Sequence, residues 1–475
     1  MSTVKHTNKP FLWRLPPAER RVVLILGDLV VSGLALLISL YFWGARDNWL
    51  DFSLTFLLER PPFWFYLLPV GWFLLLVELY DLRRAGRRKD TLAGVALAAL
   101  AGLGVYLLVF FLSPKGSLPR FSVAVFIIAE TVLTLVWRFT YISVFSAPQF
   151  LRRVLIVGAG RAGSTLAAVI KEIWPPPFYL TGLIDDDPQK IGTEVAKVPV
   201  LGGSRDLMRI VQEQQITDLI LAISGEMKED LFEALINAEE KGLTVKTMPI
   251  VYEELLGRVP IFLLQSDWIL RSFFDHVHAS EFYEALKRLL DIVGSLVGGL
   301  FFLLFLPVGA LAILLDDGFP IFYTQERLGK SGDVYKIIKF RTMRKDAERD
   351  GRARMATEND QRVTWVGRIM RKSHLDELPQ FINVLRGDMS LVGPRAERPE
   401  LVDELQEHVP FYRARLLVKP GLTGWAQVNF GYASNVADTG VKLEYDLYYI
   451  KHRNLLLDFL ILVRTVGTVI GLRGQ

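Results

Sequence analysis

The strongest constraint on this chain is a set of apolar runs of membrane-crossing length. About 20 residues of α-helix match the roughly 30 Å hydrocarbon core of a bilayer, and the runs at 23–44, 63–80, 92–112 and 123–145 approach or exceed that length. Four such runs within 150 residues read as a transmembrane region rather than as buried core helices. The first is too long for a signal peptide and has no small-residue cleavage site. Basic residues orient the spans. Arg14, Arg20 and Arg21 precede the first, and Arg83, Arg84, Arg87, Arg88 and Lys89 follow the second. The stretch 45–62 sets Arg46 and Arg60 against Asp47, Asp51 and Glu59. The pattern predicts in–out–in–out–in, with everything after 150 cytoplasmic. Asp28, Glu78, Glu130 and Arg138 fall in or near the ends of the spans. Helix–helix pairing or snorkelling is their expected use, because no ordered relay of such groups suggests transport.

A fifth run, 292–315, has no charged residue, yet Lys287 and Arg288 precede it and Arg327, Lys330 and Lys336 follow. Both flanks therefore ask to be cytoplasmic. Pro307 lies inside the run, where it removes a backbone hydrogen bond and kinks a helix. These facts predict a re-entrant helix over about 287–316 that bends near Pro307 and returns to the same face. Its bend must be covered by protein or stay shallow.

Residues 151–267 alternate strand and helix patterns. The strand VLIVGAG at 154–160 runs into Gly158, Gly160 and Gly163, a helix follows, and the next strand ends at Asp185–Asp187. That order fits the dinucleotide fingerprint: a tight turn, a close pyrophosphate approach, a helix N-terminus and an acidic residue for a ribose. A Rossmann-like α/β domain is expected, with Gly158, Gly160, Gly163 and Asp185 as possible nucleotide ligands. No second glycine unit and no Tyr-x-x-x-Lys accompanies it. Residues 154–267 hold 10 Lys/Arg against 17 Asp/Glu, a net of −7, which is unsuited to holding several phosphates by charge alone.

The region 327–419 is opposite in character, with 20 Lys/Arg against 14 Asp/Glu, a net of +6. Its cations cluster at 336–345, 368–372 and 395–398 and suit phosphate oxygens or anionic lipid. Among them sits Asp376–Glu377. In a positive setting both carboxylates are expected to have lowered pKa values and stay ionised. Such hard oxygens suit Mg²⁺, and a carboxylate can also act as a nucleophile. The 475 residues include no cysteine, which excludes disulfides, Cys-ligated zinc, iron–sulfur centres and thiol nucleophiles. Six histidines, only His276 and His278 close together, make no convincing ligand set. The whole-chain charge of +4 gives no ground for nucleic acid as a partner.

Several segments in order resemble the bacterial sugar transferases, the polyprenyl-phosphate hexose-1-phosphate transferases. They are KRLLD at 287–291, KIIKFRTM at 336–343, RKSHLDELPQFINVLRGDMSLVGPR at 371–395, KPGLTGWAQV at 419–428 and YDLYYIKHRNLLLDFLIL at 445–462. With four N-terminal spans and a Rossmann-like module, the layout looks like the large members that start exopolysaccharide or O-antigen units. Ala396 stands where many members have proline.

The resemblance implies a monotopic catalytic domain that moves a sugar 1-phosphate from a UDP-sugar, glucose or galactose, to undecaprenyl phosphate, releasing UMP. It makes Asp376 the nucleophile, with Glu377 holding Mg²⁺ or orienting Asp376. It places Arg371 and Arg395, and also Lys339 and Arg341, at the phosphates. The KRLLD segment supplies Lys287, Arg288 and Asp291 at the start of the re-entrant helix. The expected organisation is a multidomain membrane protein: a transmembrane region at 1–150, the Rossmann-like domain at 151–267, a linker at 268–282 and a mostly α-helical catalytic domain at 283–475. A homodimer at the bacterial inner membrane, facing the cytoplasm, is expected. Tyr445, Tyr448 and Tyr449 with Lys451 and Arg453 read as an interfacial belt, with core packing as the alternative. The glycines of PGLTGW are expected to shape a tight turn. The competing reading of the whole chain is a membrane-tethered, NAD-dependent nucleotide-sugar dehydratase or epimerase.

Overall fold

The computed structural model describes residues 17–46, 51–80, 82–112, 119–145, 151–174, 176–223, 225, 227–263, 280–345, 360–431 and 435–470. Arg14, Asp47, His276, His278, the side chains of Glu78 and Arg83, and the expected linker up to residue 279 lie outside them. The chain divides into two compact units, Met1–Met248 and Pro249–Gln475.

In the first unit, α1 (Pro17–Gly44), α2 (Arg88–Leu112) and α3 (Arg120–Phe145) are continuous apolar helices. Each is long enough to cross a membrane. The run at 63–80 differs from the expected single helix. It is a series of a 3-10 turn (Phe63–Leu67), a short helix (Leu68–Leu75) and a second 3-10 turn (Val77–Tyr80). Pro62 keeps the entry extended and Pro69 supplies no N–H, so tighter bonds replace part of the α ladder. The charged groups of α1 and α3 pair across the helices, as expected. Arg138 donates to Asp28 at 2.7 Å with both side chains buried. Ser32 donates to Glu130 at 2.5 Å.

One sheet of the same unit is built from β1 (Arg153–Val157), β2 (Tyr179–Ile184), β3 (Asp218–Leu221) and β4 (Thr244–Thr247). They form a parallel sheet in the order β2-β1-β3-β4. Helices α4 (Arg161–Glu172), α5 (Leu207–Gln214) and α6 (Glu229–Glu240) lie between them in sequence. A core of Leu155, Val157, Ile184, Leu207, Leu219 and Leu235 joins the helices to the sheet.

The second unit is organised along α7 (Glu281–Asp317), 37 helical residues with Pro307 among them. At 1.5 Å per residue its helical path is about 55 Å, far more than one crossing of a bilayer core needs. Ser280 caps its N-terminus by accepting the Tyr283 N–H, and Glu281 and Glu284 suit its positive end. Its buried residues, Tyr283, Lys287, Asp291, Ser295, Gly298, Phe302, Gly309 and Ile313, recur every three, four or seven positions. They therefore share one face. That face packs on the rest of the unit along the whole helix, from the ion pair of Lys287 with Asp458 to the core group of Phe302, Ile313, Phe340 and Met370. Large apolar side chains such as Leu296, Leu300, Phe301, Leu304, Val308 and Leu311 stay exposed on α7.

After α7 come the antiparallel strands β5 (Phe322–Leu328) and β6 (Val334–Phe340), paired with Tyr323 opposite Lys339. Helix α8 (Trp365–Lys372), a 3-10 turn (Leu375–Gln380) and α9 (Phe381–Arg386) follow. The parallel pair β7 (Ser390–Val392) and β8 (Gly421–Thr423) brackets α10 (Pro399–His408) and a 3-10 turn (Tyr412–Leu417). Helices α11 (Val436–His452) and α12 (Leu455–Ile470) close the unit. Within PGLTGW, where a tight turn was expected, Gly421–Thr423 form a strand and Gly424 leads straight into a short helix at Trp425. A Cβ on Gly421 would come within 2.1 Å of the Gly393 nitrogen, so only glycine allows the two strands to approach this closely.

The tyrosines of α11 belong to the core, not to an interfacial belt. Tyr449 is fully buried and donates to Asp458 at 2.7 Å, and Tyr448 stacks on Trp425. Lys451 pairs with Glu253 and Arg453 with Glu284. Residues 249–263 belong to this unit: Trp425 donates to the Gly257 carbonyl at 2.7 Å, and the Val259 N–H donates to Glu444 O at 3.0 Å.

Candidate active site

Strand alternation builds one wall of a cavity of about 650 Å³ in the second unit. Tyr323, Gln325 and Arg327 on β5, with Ile337 and Lys339 on β6, line it at every second position. Thr364 caps α8 by accepting the Gly367 N–H, and the last turn of that helix delivers Arg371 to the rim. His374 then takes a left-handed conformation, φ 57°, and starts the 3-10 turn that carries Asp376 and Glu377. On the other side, β7 leads through Gly393 and Pro394 to Arg395. Strand β7 is held by Asp291 of α7, which accepts the Ser390 hydroxyl at 2.9 Å and the Leu391 N–H at 2.8 Å. Arg288 of α7 donates to the carbonyls of Val384 and Leu385 at the end of α9. The predicted site residues of the catalytic region, apart from those on α7, all line one cavity: Lys339, Arg341, Arg371, Asp376, Glu377 and Arg395.

The two carboxylates of this turn are buried neighbours with different surroundings. Glu377 Oε1 accepts from Lys339 Nζ at 2.7 Å and from Arg395 Nη2 at 2.8 Å. Burial pushes its carboxyl up, but Arg395 and Lys339 outweigh that and hold it well below the usual carboxylate range. Among the described residues, none hydrogen-bonds to the Asp376 carboxylate. Burial, then the neighbouring Glu377 charge, push Asp376 up to about 6 against the pull of Lys339, Arg371 and Arg395. The expectation of two depressed acids therefore holds for Glu377 and is reversed for Asp376. One acid takes both hydrogen-bonded cations, and burial acts on the other largely uncompensated.

The cations also have separate tasks. Arg341 turns to the C-terminus of α7, where Nη2 donates to the carbonyls of Asp317 at 3.0 Å and Gly318 at 2.5 Å. A guanidinium there satisfies orphan carbonyls and suits the negative end of the helix. Arg371 donates to Thr342 Oγ1 at 2.9 Å. Burial lowers the pKa of His374, whose Nδ1 is buried without a partner.

Sequence reasoning missed the far wall of the cavity. It is made by Glu397, Leu401 and Leu405 around α10, by Tyr412 and Arg415, and by Thr439, Lys442, Leu443 and Asp446 on α11. Arg415 donates to Asp446 at 2.9 Å and lies 3.5 Å from Glu397. The only signal available was the spacing of Thr439, Lys442, Leu443 and Asp446 on one helical face.

Among the described residues, no cluster of three or more His, Asp or Glu could hold a metal ion by itself. The unpartnered Asp376 carboxylate is a hard oxygen donor, and Glu377 keeps one oxygen clear of its two cations. Mg²⁺ commonly binds to one or two carboxylates plus substrate phosphates, so this pair fits the ion together with a phosphate-bearing substrate.

In the first unit, the other predicted site is drawn together around β1 and β2. Gly158 has φ +107°, and a Cβ on Gly163 would meet the Gly158 carbonyl at 1.9 Å, so α4 must start on a glycine-lined turn. Asp185 accepts the Ala159 N–H at 2.7 Å and the Asp187 N–H at 3.0 Å, and pairs with Lys190 at 3.2 Å. Burial raises its carboxyl, but these backbone bonds and Lys190 bring it below the usual range. Gly160 has open space where a Cβ would stand.

Comparison with known proteins gives two family matches. Residues 282–471 match bacterial sugar transferase, and residues 76–249 match CoA-binding domain. Over 228 residues the chain is 41% identical to a UDP-N-acetylgalactosamine-undecaprenyl-phosphate N-acetylgalactosaminephosphotransferase of Aeromonas hydrophila, covering 46% of this chain and 51% of the relative. It is 31% identical over 284 residues to a UDP-glucose:undecaprenyl-phosphate glucose-1-phosphate transferase of Xanthomonas campestris pv. campestris, covering 58% and 57%. A protein of the same name from Caulobacter vibrioides is 41% identical over 187 residues, which are 39% of this chain and 69% of that one. The chain thus spans about half the length of the first two relatives and over two thirds of the third. With the cations and carboxylates of its KIIKFRTM and RKSHLDELPQFINVLRGDMSLVGPR segments around one cavity, the chain belongs to the bacterial sugar transferase family.

Proposed function

We propose that this chain transfers a hexose 1-phosphate from a UDP-sugar to undecaprenyl phosphate, releasing UMP and forming undecaprenyl-diphosphate-sugar. The observation that carries the reading is the division of labour in the Asp376–Glu377 turn. Glu377 anchors two cations that face the cavity, and the adjacent Asp376 carboxylate is left without a bond. A nucleophile needs such a free oxygen, and a phosphoryl group needs the fixed positive charge around it. The names of the relatives support the class of reaction; they include both glucose and N-acetylgalactosamine enzymes.

In this account an Asp376 oxygen attacks the phosphorus that bears the sugar. The bond from that phosphorus to the bridging oxygen breaks, and its electron pair leaves with UMP. A phosphate oxygen of undecaprenyl phosphate then attacks the same phosphorus, and the Asp376 carboxylate departs. Lys339, Arg371 and Arg395 meet the equatorial oxygens, and Glu377 keeps Lys339 and Arg395 in register. Mg²⁺, held by Asp376 and Glu377 with the donor's diphosphate, would supply further charge neutralisation.

The membrane seating follows from α7. One face is buried against its own unit along the whole helix and the other carries exposed apolar side chains. A perpendicular span would drag part of that unit into the bilayer. We therefore assign α7 a re-entrant, monotopic seat with both ends on the cytoplasmic face of the inner membrane. The first unit, with its spans and its Rossmann-like sheet, would serve regulation or homodimer assembly. The pathway step would be the first on the membrane in exopolysaccharide or O-antigen synthesis.

The test is a screen of the purified full chain with UDP-glucose, UDP-galactose or UDP-N-acetylgalactosamine, undecaprenyl phosphate and Mg²⁺. UMP release matched by a sugar-labelled lipid is expected. A modified free UDP-sugar, or no lipid product, would contradict the proposal.

A further inference from the structure

The cavity follows β5, which gives its scale. Tyr323 and Arg327 both line it, four residues apart on one strand, a separation of about 13 Å. One end borders the C-terminus of α7, where Pro320 and Arg341 line the wall and Arg341 grips the last carbonyls of the helix. On the membrane seat proposed for α7, a phosphate carried by a lipid would reach the cavity from this end. The other end is the lobe between α10 and α11, walled by Leu401, Leu405, Tyr412, Thr439 and Leu443.

Charge in that lobe is nearly balanced, with one exception. Glu397 lies between Arg415 at 3.5 Å and Arg327 at 3.8 Å, and Asp446 accepts from Arg415 at 2.9 Å. Two arginines thus answer two carboxylates. Lys442 also lines the lobe and is half-buried, and among the described residues it makes no hydrogen bond or ion pair. Glu397 and Asp446 lie within its electrostatic reach but neither bonds to it, and such a half-buried ammonium beside a basic cavity is a ready ligand for a phosphate oxygen. The leucines and Tyr412 around it offer an apolar wall. Such a wall suits the face of a nucleobase.

We propose that this lobe seats the nucleoside monophosphate half of the donor, and that Lys442 binds the phosphate that leaves. The inference rests on the reaction proposed above and adds the direction in which the donor lies. Its sugar-bearing phosphate sits at Asp376, its nucleotide points towards α10 and α11, and the acceptor enters from the α7 end. When the phosphorus–oxygen bond breaks, the electron pair and negative charge pass to the departing phosphate, and Lys442 is placed to neutralise them.

The experiment compares Lys442→Met and Lys442→Arg with the wild type in the full chain, reading KM for each substrate and product inhibition by UMP. Loss of one charge-assisted hydrogen bond corresponds to about a ten- to hundredfold change. Lys442→Met should raise both the KM for the UDP-sugar and the UMP inhibition constant by that amount. The KM for undecaprenyl phosphate should stay within about twofold, and Lys442→Arg should recover most of the loss. Lys442→Gln repeats the test if the Met variant does not fold. An unchanged UMP inhibition constant, or a raised KM for undecaprenyl phosphate instead, would overturn the assignment. A wild-type chain that releases no UMP from any UDP-sugar would instead refute the underlying reaction.

Discussion

Asp291, in the buried face of α7, accepts the Ser390 hydroxyl at 2.9 Å and so ties the apolar helix to the strand that leads to Arg395. The same carboxylate accepts the Leu391 N–H at 2.8 Å. Through two hydrogen bonds, the helix proposed to sit in the membrane sets the register of an arginine that reaches Glu377.

Replacing Asp291 tests that linkage. Asp291→Ala leaves a buried backbone N–H and a buried hydroxyl unsatisfied, at about 1–3 kcal/mol each. Asp291→Asn keeps an acceptor oxygen for both donors. Thermal unfolding in detergent should show a clear loss for the Ala variant and a smaller one for Asn, with turnover falling in the same order. Equal behaviour of the two variants would show that the accepting oxygen does not matter.

The environment of Asp376 makes a pH prediction. A protonated carboxyl cannot attack, so turnover should fall as pH drops through about 6, where burial and the Glu377 charge place its ionisation. In Glu377→Gln the like charge disappears and Lys339 and Arg395 lose their partner. Both changes favour ionised Asp376, so the acid limb should move down by about one pH unit or more, while the maximal rate falls. An acid limb that stays in place would mean that another group controls it.

The seating of α7 is open to labelling, because the native chain has no cysteine. Glu281→Cys and Lys330→Cys place single thiols at exposed positions on the two sides of the helix. Both should react with an impermeant reagent only when the cytoplasmic face is open. Labelling from opposite faces would replace the re-entrant seat with a span.

Much of this architecture was legible in the sequence because its signals are local. An uncharged run between basic flanks marks α7, and the spacing of Gly158, Gly160 and Gly163 before Asp185 marks the parallel sheet. The cluster of cations around Asp376 and Glu377 also lies in nearby sequence. What could not be read depends on burial and on distant partners. The pKa of Asp376 rises because burial, and then the Glu377 charge, outweigh the cations around it, and composition alone cannot show that balance. Arg341 is committed to the end of α7, more than twenty residues earlier in the chain. Tyr449 reads as interfacial by composition, but it is core because α7 and α12 close over it with Tyr283 and Asp458. The break in the run at 63–80 was signalled by Pro62 and Pro69, and hydropathy alone overrode them.

The most direct test of the central claim is to trap the covalent step. The purified chain is incubated with UDP-sugar labelled in the phosphate next to the sugar, with Mg²⁺ and without undecaprenyl phosphate. The account predicts label on the protein with release of up to one UMP per chain, discharge of that label to lipid when undecaprenyl phosphate is added, and no label on Asp376→Asn. A folded Asp376→Asn variant that still takes up label, or a wild-type chain that makes lipid product at full rate without ever carrying label, would contradict it.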